Sequence, residues 1–93
     1  MTKKDFENLK EKQLLTIKNS KGEIIDIFHY GKWCELRHHN YNGENYYYLS
    51  IALQPRLENV SITTESDIIA YYERKKASFE KQLNKILDLK NDL

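Results

Sequence analysis

"QLLTIKNSKGEIIDIFHYGKWCELRHHNYNGENYYYLS", residues 13–50, is the stretch whose reading decides the fold. Three turn signals divide it: Asn19-Ser20-Lys21-Gly22, Gly31-Lys32 and Asn42-Gly43. Between them apolar and polar residues alternate with the period of half-buried strands. The spacing predicts strands over about 13–18, 23–30, 33–40 and 45–53.

Each turn implies a register. A three-residue loop of Ser20, Lys21 and Gly22, with Gly22 left-handed, sets Asn19 against Glu23. Ile17 then meets Ile25, and Leu15 meets Ile27. A tight turn at Gly31-Lys32 sets Tyr30 against Trp33, Cys34 against His29 and Leu36 against Ile27. Asn42-Gly43, the strongest hairpin signal in the chain, sets Tyr41 against Glu44, His38 against Tyr47 and Leu36 against Leu49. All three registers agree on one inner face: Leu15, Ile17, Ile25, Ile27, Cys34, Leu36, Tyr47, Leu49, Ile51 and Leu53. A slip of one residue would turn a whole strand's apolar set outward. The agreement predicts a single four-stranded antiparallel β-meander.

Helices flank it. Thr2 and Asp5 have capping-box spacing and open a short helix over about 3–11. Pro55 ends the last strand, and 54–63 reads as a connection. Thr64 and Asp67 repeat the capping box and open a long helix over about 65–90, free of Gly and Pro. The expected fold is α+β, in the order α-β-β-β-β-α, with both helices packed on the sheet in a single domain spanning 1–93.

The long helix carries a stripe of Ile68, Ile69, Tyr72, Phe79, Leu83, Ile86 and Leu87, interrupted at Lys75 and Lys76. Its length is about 38 Å at 1.5 Å per residue, against about 25–30 Å for the strands. The end of the helix, with Leu89 and Leu93, should overhang the sheet. Phe79, Leu83, Ile86 and Leu87 are therefore candidates for self-association, giving a homodimer.

Composition bounds the function. Ninety-three residues fill one domain. With 15 basic against 14 acidic side chains, the chain lacks the basic excess that nonspecific phosphate binding needs. A lone cysteine suits a reducing interior. MTKKDFENLKEK lacks the apolar core of a signal peptide, and no apolar run reaches membrane-spanning length. A cytoplasmic location without membrane association is expected. The Lys, Asn, Ile and Tyr bias suits a phage or mobile element of a low-GC bacterium.

His29, Cys34, His38 and His39 have the donor chemistry of zinc ligands. Strand geometry disperses them: Cys34 and His38 stand about 13 Å apart along one strand, and His38 and His39 point to opposite faces. A Cys34–His29 nucleophilic pair would face the core, with no oxyanion-stabilising loop beside it. No metal, no cofactor and no enzymatic activity are expected.

The opposite sheet face carries Asp26, Phe28, Tyr30, Trp33, Glu35, Arg37, His39, Tyr46 and Tyr48. Tyr, Trp and Arg dominate the contacts that anchor protein interfaces. Phe28, Tyr30, Trp33, Arg37, His39, Tyr46 and Tyr48 are the candidate binding residues. The expectation is a small protein-binding protein, of the inhibitor, immunity-partner or adaptor type. The alternative is single-stranded nucleic acid stacked on the aromatic face, and the third reading is a homodimeric structural module.

Overall fold

The computed structural model describes residues 1–91, and the side chains of the last helix as far as Asp88. The Leu89 side chain and Leu93 lie outside the described residues. Its elements are α1 (Lys3–Glu7), β1 (Leu14–Lys18), β2 (Ile24–His29), β3 (Leu36–Tyr41), β4 (Glu44–Leu49), a 3-10 turn (Leu57–Asn59), β5 (Val60–Ile62) and α2 (Glu65–Asn91). The class is α+β, but the single four-stranded meander is not formed. Five strands divide into a sheet ordered β2-β1-β5 and a separate β3-β4 hairpin.

The division begins at Gly31-Lys32. Tyr30 stays on the β1 side, where its N–H donates to the Gln13 carbonyl at 2.7 Å and its carbonyl accepts from Lys12 at 2.8 Å. The Cys34 N–H then donates to the Gly31 carbonyl at 2.9 Å. This four-residue turn drops Cys34 into the core and steers the chain off the sheet edge. Tyr30 therefore never faces Trp33, and β2 becomes an edge strand.

A second departure lies inside the first hairpin. The loop forms as its residues demand: Gly22 has φ +82°, and the Asn19 N–H donates to the Glu23 carbonyl at 2.9 Å. A β-bulge follows at once. Lys18 pairs with Ile24 but Ile17 pairs with Asp26, leaving Ile25 as the extra residue. Beyond it Leu15 stands opposite Phe28 and Thr16 opposite Ile27. One inserted residue exchanges the two faces of a strand. Ile25 is consequently exposed, and Phe28 and Tyr30 pack against the core. Their expected place on an outward face is corrected.

The third hairpin pairs as its turn chemistry dictates. Asn42 and Gly43 both have positive φ, +51° and +82°, as a type I′ turn requires. Leu36 pairs with Leu49, Arg37 with Tyr48, His38 with Tyr47, and His39 with Tyr46.

β5 arises in the stretch expected to be a connection. It pairs antiparallel with β1, setting Val60 against Ile17 and Ile62 against Leu15. The core lies on this side of the three-stranded sheet. Leu15, Ile17 and Val60 are closed over by Phe6 from α1, Cys34, Leu49 from β4 and Leu57. Phe6 meets Tyr30 edge to face at 5.5 Å. Helix α1 is shorter than expected, ending at Glu7 with Asn8 as its C-cap.

The opposite side of β1 receives only the base of α2. Thr16 and Asp67 are buried there, and the Thr16 hydroxyl lies 2.8 Å from that of Thr63. The capping box forms as its spacing implies: Asp67 accepts from the Thr64 N–H at 3.0 Å, and Thr64 Oγ1 accepts from the Asp67 N–H at 3.2 Å. Two further links follow, Tyr71 to Asp26 at 3.2 Å and Arg74 to the Ile24 carbonyl. Past these, every side chain from Tyr72 to Asp88 is exposed. The expected packing of the long helix on the sheet is thus corrected to its first turns alone. The 56 Å long axis of the molecule, against 32 and 24 Å for the others, reflects this departure.

Candidate functional site

Helix α2 carries seven of the thirteen large apolar side chains that are exposed among the described residues. It touches its own body through Asp67, Tyr71 and Arg74, which recur at four and three residues and so share one face. At about 100° per residue, Ile69, Tyr72 and Leu83 fall on the opposite face, with Phe79 and Ile86 on its flank. They are exposed, as are Ile68 and Leu87. The four residues singled out for self-association, Phe79, Leu83, Ile86 and Leu87, lie together on this outward side. Ile68, Ile69 and Tyr72 extend the stripe down to the root of the helix. The body meets the helix on its polar side, so nothing in the fold draws the apolar side inward.

The β3-β4 hairpin provides a second surface. Its register places Arg37 beside Tyr48, His39 beside Tyr46 and Tyr41 beside Glu44 on one face. His39 lies 5.5 Å from Tyr46 and 6.3 Å from Tyr41, and Tyr46 lies 6.2 Å from Tyr48, measured between ring centres. Four of the seven expected binding residues, Arg37, His39, Tyr46 and Tyr48, are therefore brought together. Cross-strand aromatic pairs of this kind also stabilise the hairpin itself.

Phe28, Tyr30 and Trp33 are not part of that face. Trp33 is 63% exposed on the loop after β2, its indole 6.2 Å from the Phe28 ring. It borders an open apolar hollow with Phe28, Ile51 and Leu53, and Asp26 stands at its edge. The expected register of Leu36 against Ile27 would also have set Arg37 opposite Asp26, and that pair does not form, because β2 and β3 are unpaired.

Two members of the hairpin face, Arg56 and Tyr41, were not among the expected binding residues. Arg56 reaches back from beyond Pro55, its guanidinium 4.2 Å from the Tyr46 ring centre and 3.1 Å from Glu44. The Tyr48–Arg56 backbone bridge holds it there, and no local pattern announces a contact made through that bridge. Tyr41 was legible from the hairpin register, being two residues from His39 on the same face.

The cations of this surface are already met by carboxylates. Arg37 is 3.4 Å from Glu35, and Arg56 also lies 3.6 Å from Glu58. Among the described residues, no three His, Cys, Asp or Glu side chains are grouped so as to hold a metal ion. Cys34 is buried, and burial raises its thiol above the usual range. No helix among the described residues is long and apolar enough to cross a membrane. Compared with known protein families, with curated proteins and with solved structures, the chain matches none.

Proposed function

We propose that this chain is a non-enzymatic protein-binding protein, of the inhibitor, immunity-partner or adaptor type, working through the outward side of α2. One observation carries the reading. The helix is anchored by its polar face and holds seven large apolar side chains in water, a surface that protein contact would bury. The hairpin face, with His39, Tyr41, Tyr46 and Tyr48, offers a second area of rigid aromatic contact.

Stacking of single-stranded nucleic acid on the hairpin is the weaker reading. It needs cations free to meet phosphates, and the two arginines at that face lie against Glu35, Glu44 and Glu58.

The test is affinity capture from source-cell extract with the native chain and a Phe79→Glu/Leu83→Glu variant, read by mass spectrometry. Both positions are exposed, so the variant should keep its fold. A partner protein held by the native bait and lost by the variant supports the proposal. Recovery of the same set by both baits overturns it. Labelled oligonucleotides titrated at low salt decide the alternative.

A further inference from the structure

The apolar side of α2 has the spacing of a helix-pairing seam. Ile69, Tyr72, Lys76, Phe79, Leu83 and Ile86 succeed one another at intervals of three, four, three, four and three residues. That is a heptad repeat with one polar member, and heptad spacing matches a neighbouring helix. We propose that the occupant of this face is a second copy of the chain, the two α2 helices pairing antiparallel about an axis between Ala77 and Ser78. The proposal rests on the protein-binding reading above: it names a second copy as what covers α2, which leaves the β3-β4 hairpin face for a protein of another kind.

Position, area and orientation each support it. Asp67, Tyr71 and Arg74 tie the helix to its own body, and the seam lies on the other side. A second molecule can therefore approach without displacing an internal contact. The seven apolar side chains of the stripe are 44–66% exposed. They leave on the order of 800 Å² to be covered, the contribution of one partner to a standard-sized interface.

Lys76 chooses the orientation. In a parallel pair both Lys76 ammonium groups would occupy the same layer, bringing like charges together in the seam. In the antiparallel register every seam position finds a match. Ile69 meets Ile86 of the second copy, Tyr72 meets its Leu83, and Lys76 meets its Phe79. A lysine over an aromatic face is a favourable contact, and Glu80 of the second copy is next to that ring in sequence. At the rim Glu73 faces Glu80 of the second copy, and the Lys76 ammonium groups offset that repulsion. A polar residue within a seam fixes register and orientation in this way.

Sedimentation of the full chain at low and high micromolar concentration tests the pairing. Cysteine trapping in a Cys34→Ala background tests its direction, using Ile69→Cys and Ile86→Cys chains. The expected results are a concentration-dependent dimer and a disulfide that forms only when the two cysteine variants are mixed. Phe79→Glu/Leu83→Glu should raise the dissociation constant by at least about a hundredfold, because two apolar side chains per copy are lost from the interface. Its near-ultraviolet circular dichroism should stay native, since neither residue is in the core. A monomer at every concentration overturns the proposal, as does self-trapping of Ile69→Cys alone, which reports a parallel pair. A monomer that still captures a partner through the stripe would leave the protein-binding reading standing, so the two can fail separately.

Discussion

The Thr16 hydroxyl donates to the Asp67 carboxylate at 3.3 Å, joining the central strand to the first turn of α2. Both residues are buried. The same carboxylate accepts from the Thr64 N–H and lies 3.7 Å from the Lys18 ammonium. One side chain thus caps the helix and fixes its root on the sheet. Asp67→Ala should remove both functions and cost about 1–3 kcal/mol, combining a lost cap with the lost bond from Thr16, whose hydroxyl keeps Thr63 as a partner. Urea unfolding checks the magnitude. Hydrogen exchange at Ile68 to Tyr71 should accelerate most, while the β3-β4 hairpin keeps its protection.

The same junction makes stability depend on acid. The hydrogen bond from the Thr64 backbone is the largest cause holding the Asp67 carboxyl below its ordinary value, with Lys18 and Thr16 adding to it and burial opposing it. A carboxyl whose pKa is lower when folded stabilises fully above its unfolded value of about 3.9. That contribution disappears as the pH falls through the lower folded value. The urea midpoint should therefore decline below about pH 4, and Asp67→Asn should decline less steeply. Parallel slopes for the two proteins would show that other carboxylates govern the acid limb.

Gly43 has φ +82° with open space where a side chain would be. The cost of Gly43→Ala is therefore one of backbone conformation and not of collision, about 1 kcal/mol. Tyrosine circular dichroism should weaken as the hairpin loosens. Gly43→Asn, which tolerates the left-handed region, should recover most of the loss.

The parts of the fold that were legible are those fixed by local chemistry. Both capping boxes, the Gly22 loop and the Asn42-Gly43 turn rest on residues adjacent in sequence, and each forms. The face of β2 was not legible, because a bulge at Ile25 reverses every residue beyond it while leaving the alternation intact. The same alternation fits Ile25 and Ile27 inward, or Asp26 and Phe28 inward, and only packing decides. Phe28 and Tyr30 have rings that reach Leu15 and Phe6, and they take the inner place. The pairing of β1 with β5 was hidden for another reason. Val60 and Ile62 show a single alternation, too short to be distinguished from a loop without its long-range partner. At the candidate site, the hairpin register brought Arg37, His39, Tyr46 and Tyr48 together, whereas Trp33 depended on the unformed turn.

Cys34 supplies a reporter of core opening. It is 2% exposed, and burial keeps its thiol protonated beyond the usual range. Thiolate is the reactive form, so an alkylating reagent should label the native protein only as fast as the core opens. Leu49→Ala, at a fully buried position in the same cluster, should cost about 2–5 kcal/mol and accelerate labelling by about thirtyfold or more. Rapid labelling of the native chain would place Cys34 at the surface.

Trp33 reports on the loop that directs β3 away from the sheet. Gly31 is buried, and a Cβ there would collide with Nε1 and Cδ1 of the Trp33 indole. The indole is therefore folded back over the Gly31 backbone, with Phe28 on its flank. Gly31→Ala should expel it. The collision is with a side chain that can rotate into water, so the cost in stability should be small, within about 1 kcal/mol. Trp33 is already 63% exposed, so the change in environment is confined to the indole face that rests on Gly31. Trp33 is the only tryptophan, and its emission should shift to longer wavelength in Gly31→Ala while the urea midpoint moves little. Phe28→Leu removes the flanking ring without touching Gly31 and should produce a smaller shift. An unchanged emission in Gly31→Ala would mean that the indole does not rest on that glycine. A loss of several kcal/mol would mean that Gly31 is required for the turn that buries Cys34.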